Sequence, residues 1–367
     1  MSRPPVSTNS APEVSITIRA TGETLSGWSN FTVVTAIDAA ANAFAFSAPF
    51  DPTPANQRRF RPYSPGVIDI KVGSAIFLTG YMEKIVPTSS RRGRDVRVEG
   101  RSASGAIMDW SAGARWSRSQ ARFLDETVFE ISGVTAGQIA DLLAAPYSVS
   151  FVPDTGHIAD LSIEPGKTVF QVLGDLASTN GYFGVPQPNG SLVFRNDLGS
   201  TPPVMDLVDG EGPVASVGTG HDTTKRFSRY RAISAASGVP SVAADSVDPE
   251  LAPAIRGIRI LQPDQPTADI QKTADNARSR SLIESYRATL KVDGYGYNTP
   301  NGAWSTWRAG DVITLLAPAA MIYRKTRFIV KRATFSTSAA EGQTTTLDLT
   351  LPELYAGGYP EVLPWVA

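Results

Sequence analysis

The sequence predicts a mainly β protein with α+β inserts, and three observations carry that expectation. The first is a β-module that occurs twice. One copy reads Pro65-Gly66-Val67-Ile68-Asp69-Ile70, then Gly80-Tyr81-Met82-Glu83-Lys84-Ile85, a polar tip ending at Gly93, and Asp95-Val96-Arg97-Val98-Glu99. The other reads Ala309-Gly310-Asp311-Val312-Ile313-Thr314-Leu315, then Phe328-Ile329-Val330-Lys331-Arg332, a polar tip ending at Gly342, and Thr346-Leu347-Asp348-Leu349-Thr350. The second observation is alternation: Val14, Ile16 and Ile18 face one way while Ser15, Thr17 and Arg19 face the other, the period of a half-buried strand. The third is that the apolar runs are short and separated by Gly and Pro, which reads as strands and turns. Two quasi-equivalent modules in one chain let a trimer imitate a six-fold ring, which points to an assembly part rather than an enzyme.

Taken in order, strands are expected at 14–18, 31–37, 43–47, 67–72, 75–79, 81–86 and 95–100. The span Asp51 to Pro65 holds four prolines and three arginines and reads as a long loop. Between 118 and 198 the pattern becomes α/β. Thr135-Ala136-Gly137-Gln138 and Thr168-Val169-Phe170-Gln171 are capping boxes, each starting a helix whose exposed N–H groups they satisfy. Val169, Val172, Leu173 and Leu176 form one apolar face of the second helix, closed by Asn180-Gly181. Pro188-Asn189-Gly190 then predicts a hairpin between Tyr182–Val185 and Leu192–Phe194. Strands resume at Tyr230–Ile233, 286–293, 311–316, 327–335 and 344–351. A helix fits 267–285, with Thr267 as N-cap and Ile270, Ala274 and Ala277 on one face. Residues 237–266, rich in Ala, Ser, Pro and Asp, read as a surface excursion, and the tail from Leu354 reads as extended.

Composition narrows the function. The 367 residues allow two to four domains. Net charge is −1, so no global attraction to nucleic acid or anionic membrane follows. There is no cysteine, which excludes disulfides and thiolate metal sites. Met1 to Pro12 is Ser/Pro-rich without the apolar core of a signal peptide, and a disordered start is expected. No stretch reaches the length of a membrane span. A soluble protein made in a cytoplasm is the expectation.

Candidate chemistry is sparse. A Ser–His–Asp site needs His157 or His221 as base, and both read as loop residues outside any nucleophile elbow. Gly218 to Lys225 lacks the spacing of a phosphate loop and reads as a Gly-rich connection. Asp206, Asp209 and Glu211 cluster in a Gly/Pro-bounded turn, too irregular for a calcium loop, and paired-carboxylate chemistry would depend on their geometry. Arginines cluster at Arg58, Arg59 and Arg61, at Arg91, Arg92 and Arg94, and at Arg226, Arg229 and Arg231 with Lys225. Without interleaved aromatics they suit solvation or a subunit contact better than nucleic acid. Trp304 and Trp307, with Tyr295 and Tyr297 upstream, suit core or interface packing better than a sugar platform. Arg91, Arg92, Arg94, Trp304 and Trp307 are the candidate interface residues. No catalytic, cofactor or metal residue is expected.

Over about 12–355 the chain resembles the baseplate hub proteins of Mu-like contractile tails, and more loosely the late-control D-type proteins and the hub portion of type VI spike proteins. The resemblance is carried by Gly27-Trp28-Ser29-Asn30-Phe31-Thr32-Val33 with Ala36-Ile37-Asp38 and Ala43-Phe44-Ala45-Phe46. It continues through Thr168 to Leu173, Leu176-Ala177, Asn180-Gly181 and Asn189 to Phe194, and through Trp307 to Val312 and Gly342 to Pro352. Ala309 departs from the Pro more usual before that Gly, and 237–266 matches no motif. The resemblance implies a disordered 1–12, a tail-tube-like antiparallel β-barrel domain over 13–112 and a small α/β domain over 113–199. It further implies a second tube-like barrel over 200–353 and a tail over 354–367. It implies a homotrimer in the virion baseplate, assembled in the host cytoplasm, contacting the tail tube, the trimeric spike and other baseplate proteins, with no cofactor. The alternatives are a tail-associated cell-wall or capsule hydrolase and a carbohydrate-binding β-module.

Overall fold

The computed structural model describes residues 13–25, 28–64, 66–91, 93–154, 158–234, 242–261, 270–299, 302–338, 342–356 and 358–366. The expected disordered start, Arg92, His157 and the Thr267 cap lie outside them. The fold is mainly β, and one thirteen-stranded sheet dominates it.

The first repeat contributes β1 (Val14–Ile18), β2 (Glu23–Leu25), β3 (Ser29–Ala36) and β4 (Ala43–Pro49), then β5 (Val67–Val72), β6 (Ala75–Ser90) and β7 (Gly93–Ser102). The expected strands 75–79 and 81–86 are one long strand. Gly80 sits within it, where a Cβ would lie 2.1 Å from the Arg101 carbonyl oxygen. The span read as a pure loop contains a short helix, α1 (Pro54–Arg59), with Thr53 Oγ1 accepting from the Asn56 N–H and Pro54 in the first turn. Strands β3, β4 and β7 alternate: Phe31, Val33, Phe44, Phe46, Val96 and Val98 are buried on one face.

The central region holds β8 (Ala114–Ser117), β9 (Arg122–Thr127), β10 (Glu130–Thr135), α2 (Ala136–Ala144), β11 (Val149–Val152), β12 (Ile158–Ser162), α3 (Val169–Thr179), β13 (Phe183–Pro186) and β14 (Leu192–Arg195). Both capping boxes form reciprocally. Thr135 pairs with Gln138 and Thr168 with Gln171 through side chain and backbone alike. Leu143, Leu173 and Leu176 pack with Phe151 and Phe194 in a core separate from that of the large sheet. The Asn189-Gly190 turn joins β13 to β14 as expected, with Gly190 at φ +87°.

The second repeat begins with β15 (Met205–Val208) and β16 (Val214–His221), followed by β17 (Arg229–Ile233), β18 (Ala243–Val247), β19 (Ile258–Leu261) and α4 (Ile270–Ser285). It continues with β20 (Tyr286–Asp293), β21 (Gly296–Asn298), β22 (Trp304–Thr306), β23 (Val312–Ala317), β24 (Ile322–Ser338) and β25 (Gly342–Thr350). The expected excursion 237–266 is not featureless. Its β18 and β19 flank β17 in a three-stranded sheet, and Ala274 and Leu282 of α4 are buried with Tyr230 and Ala232. The small and polar residues of β18, Ala-Ala-Asp-Ser-Val, hid that strand, whereas β19 is an Ile-Arg-Ile-Leu run. The tail from Leu354 turns back instead of running free: Leu363 is buried, and the Pro364 carbonyl accepts from the Tyr323 N–H at 3.1 Å.

Strand order in the large sheet exposes the duplication. The first repeat runs β3-β4-β7-β6-β5-β1 and the second β16-β20-β25-β24-β23-β15. The two differ at the last pair, antiparallel for β1 with β5 and parallel for β15 with β23. Even the irregularities coincide. The ladder between β6 and β7 shifts register between Met82 and Lys84, and that between β24 and β25 between Val330 and Arg332. Glu83 and Lys331 are therefore equivalent bulge residues, and such bulges re-aim a strand at a fixed place. The repeats fuse through one seam: Arg332–Thr337 of β24 pairs antiparallel with Phe31–Ala36 of β3. Behind the seam Phe77 meets Phe335 edge-on at 4.4 Å between centroids, and Tyr295 packs against both Phe31 and Phe335. Such ring pairs add about 0.5–1.5 kcal/mol each beyond burial.

Candidate functional site

The feature without an internal structural role is the outer face of the fused ribbon β16-β20-β25-β24-β3-β4-β7-β6. Alternation dictates its content, because each residue between two core residues must point outward. Over the first repeat it presents Thr32, Val34, Ala43, Ala45, Arg97 and Glu99; over the second, Gly218, Gly220, Arg287, Thr289, Thr346 and Asp348. Small and polar residues alternate with charges, and over the first repeat the charges are matched. Lys84 Nζ lies 3.2 Å and Arg97 Nε 2.8 Å from Glu99, while Arg101 reaches both Glu83 and Asp109. At the equivalent bulge, burial first and then the neighbouring Arg332 hold the Lys331 ammonium below the ordinary lysine range. Among the described residues the face shows no group of three or more metal-ligating side chains. The face is hollowed at both bulges: a cavity of about 430 Å³ is lined by Thr32, Ala45, Lys84 and Glu99, and its counterpart of about 330 Å³ by Thr289, Lys331, Arg332 and Asp348.

The residues singled out from the sequence fall into different places. Arg91 and Arg94 stand exposed at the tip of the β6–β7 hairpin, Arg94 with a 3.9 Å contact to Asp51. Trp307 is wholly buried and packs against Tyr297 in a tilted pair at 4.5 Å between centroids. It therefore offers no surface to a partner or a sugar, and its candidacy as an interface residue is withdrawn. Trp304 stays partly exposed on β22, and Tyr295 and Tyr297 are buried, so the aromatic cluster is mostly core. The structure brings none of these tryptophans to the arginine tip.

The discarded chemical candidates also acquire positions. His221 ends strand β16 instead of lying in a loop. It packs edge-on against Trp365, and burial lowers its proton affinity. Asp206 lies in β15, bonded to Thr314 and Lys325, while Asp209 and Glu211 stay in the turn that follows. Gly218 to His221, read as a connection, is an edge strand pairing with β20. Of the third arginine cluster, Arg226 makes a buried ion pair with Asp248 at 2.7 Å, and Arg229 and Arg231 face Asp245. These arginines have internal counterions and are not a phosphate surface. What sequence reading missed is the pair of open strand edges bounding the ribbon, at β16 and at the outer half of β6. The two similar runs of residues show that a module is repeated, but only the order of strands in space shows which edges are left open.

Comparison with known proteins defines the fold class first: the chain shares the β-rich fold of solved phage-tail proteins. A tail protein from Neisseria meningitidis MC58 superposes with a TM-score of 0.75 at 22% identity, covering 95% of this chain and 99% of its own. The 43 kDa tail protein of prophage MuSo2 from Shewanella oneidensis gives 0.75 at 20% identity, covering 94% and 99%. Within that class the matches resolve to the Mu-like baseplate hubs. Residues 15–102 match the family model for the N-terminal part of the Mu phage baseplate assembly protein GpP-like family, and 125–196 that for the second domain of the gp44-like baseplate hub proteins. The baseplate hub protein gp44 of Escherichia phage Mu is 22% identical over 357 residues, 91% of this chain and 87% of that protein. The resemblance read from the sequence is thus borne out, and the role is that of a structural baseplate hub in the phage tail.

Proposed function

We propose that the chain acts as a homotrimeric adaptor, with six quasi-equivalent modules facing the hexameric tail tube and true three-fold symmetry facing the trimeric spike. The observation that carries this reading is the strand-for-strand equivalence of the two repeats, down to the bulges at Glu83 and Lys331. A protein has little reason to keep two such modules unless both occupy similar environments, and a ring in which each module follows the last supplies them. The polar outer face then lines the axis. The ion pairs that hold its first-repeat arginines and lysine suit a passage that lets DNA through without holding it once the spike has left, because unpaired arginines would bind phosphates. In this reading the chain carries no catalytic activity of its own, binds other baseplate proteins and is assembled in the host cytoplasm before it enters the virion.

Light scattering behind a sizing column tests the stoichiometry, with a mass three times that of the chain expected. Purified cell wall tests the rival hydrolase: no solubilisation of peptidoglycan or capsule is expected. A monomer at every concentration, or wall-degrading activity that co-purifies with the chain, would overturn the proposal.

A further inference from the structure

We infer that the outer half of β6 in one copy pairs antiparallel with β16 of the next, repeating between chains the seam that joins β24 to β3 within one chain. This rests on the ring reading and names the surfaces that would close the ring.

The free edges are explicit. Strand β16 ends the sheet and pairs only with β20 among the described residues. Strand β6 pairs with β5 only as far as Tyr81, so from Glu83 to Ser90 its second edge meets no described strand. The matching stretch of β24 is occupied: it is the part that pairs with β3. An unpaired edge of this length is normally shortened, bent away or covered, because it invites another strand.

The register follows from the equivalences. Lys84 opposes Glu99 as Arg332 opposes Asp348, immediately after each bulge. Ala45 opposes Glu99 as Thr289 opposes Asp348, and Thr32 opposes Ala45 as Gly218 opposes Thr289. Thr32 therefore corresponds to Gly218, and Thr88 to Ser336. Since Ser336 pairs with Thr32 at the internal seam, Thr88 pairs with Gly218 of the next copy, Val86 with Gly220, Ile85 with His221 and Lys84 with Asp222.

Five features fit that pairing. The Asp222 N–H turns toward β20, where it reaches the Ser285 carbonyl at 2.7 Å. By alternation the peptide groups of Val217, Thr219 and His221 then point off the sheet. Pro87 stands where Phe335 stands in the second repeat, a position whose amide faces outward. The missing N–H thus costs β7 nothing and omits one rung of the new ladder. Ile85 is only half-buried and Pro87 is exposed, where their counterparts Ala333 and Phe335 are buried beneath the seam. Gly218 and Gly220 are open: a Cβ on either meets nothing within 4 Å, so the chain's own packing does not require glycine there. Glycine in a strand often marks close approach by another backbone. Charge agrees at both ends, with Lys84 opposite Asp222 and the Arg91 and Arg94 tip running toward the turn that carries Asp209 and Glu211.

The chain contains no cysteine, so disulfide trapping reads the register directly. Val86 and Gly220 fall at a non-hydrogen-bonded pair, where Cα atoms approach to about 4.5 Å, within disulfide reach. The double variant Val86→Cys, Gly220→Cys, mildly oxidised with copper phenanthroline, should run as a covalent trimer on non-reducing gels. Either single variant should remain uncrosslinked, and Val86→Cys with Gly218→Cys, displaced by about 7 Å, should trap at least ten-fold less. A trimer by light scattering that fails to crosslink would overturn the strand pairing while leaving the hub reading intact. A chain that is monomeric and uncrosslinked at all concentrations would overturn both.

Discussion

Asp311 shows how a residue can be plain in sequence and opaque in energy. The Ala309-Gly310-Asp311 turn announces the start of β23, but nothing in the sequence says that its carboxylate is largely removed from water. Burial pushes its pKa up to about 6, against the opposing effects of the Arg308 N–H, 2.8 Å from Oδ2, and the Arg308 charge. A carboxyl whose folded pKa exceeds its unfolded value binds its proton more tightly when folded. Stability therefore rises as pH falls from about 6 toward about 4, and the ionised form is a standing cost above that window. Asp311→Asn keeps an acceptor for the Arg308 N–H and removes the charge. Because the side chain retains some water contact, the gain at pH 7.5 should be about 1 kcal/mol, vanishing near pH 4. Urea denaturation at the two pH values reads this. A variant equally stabilised at both would rule out titration as the cause. Carboxyls such as Asp197, held below the usual range by Arg195, act at lower pH and do not mask the effect.

At the scale of elements, legibility followed locality. The boxes at Thr135 and Thr168 and the Asn189-Gly190 turn were readable because partners sit within a few residues. The strands β16 and β18 were not, because their Gly, Ala, Ser and Asp have little strand preference and form strands there only through pairing with β20 and β17. The excursion is held down by a contact that sequence cannot display. Arg226 reaches Asp248 through Nε at 3.0 Å and Nη2 at 2.7 Å, and Glu250 and Tyr359 complete its shell. With both partners almost fully buried, removing one strands the other's charge. Asp248→Ala should cost about 3–5 kcal/mol. Asp245→Ala breaks the half-exposed pair with Arg231 and should cost far less. Chemical denaturation separates them; equal losses would mean that the buried pair anchors nothing beyond an ordinary surface contact.

At the scale of the whole molecule, the duplication was visible as two similar runs of residues, and so was the idea of a ring. The seam was not, because which edge a strand leaves open depends on the order of strands in space. That order gives the Arg91 and Arg94 tip a role that composition alone could not. Under the proposed pairing it falls at a junction between copies, beside an acidic turn, while contributing little to its own chain. Reversing its charge in Arg91→Glu, Arg94→Glu should therefore leave the folding of the isolated chain within about 0.5 kcal/mol of the parent. The same change should reduce the trimer fraction and the yield of infectious particles, since it sets glutamates against Asp209 and Glu211 of the neighbour. Because the tip is exposed, part of the loss should return at 1 M salt, where charges are screened beyond about 3 Å. Thermal melting of the monomer, light scattering across a salt series and particle titre read the three quantities. Normal trimers at low salt would remove the tip from the interface. A fall in melting temperature matching the loss of trimer would make the effect one of folding rather than of assembly.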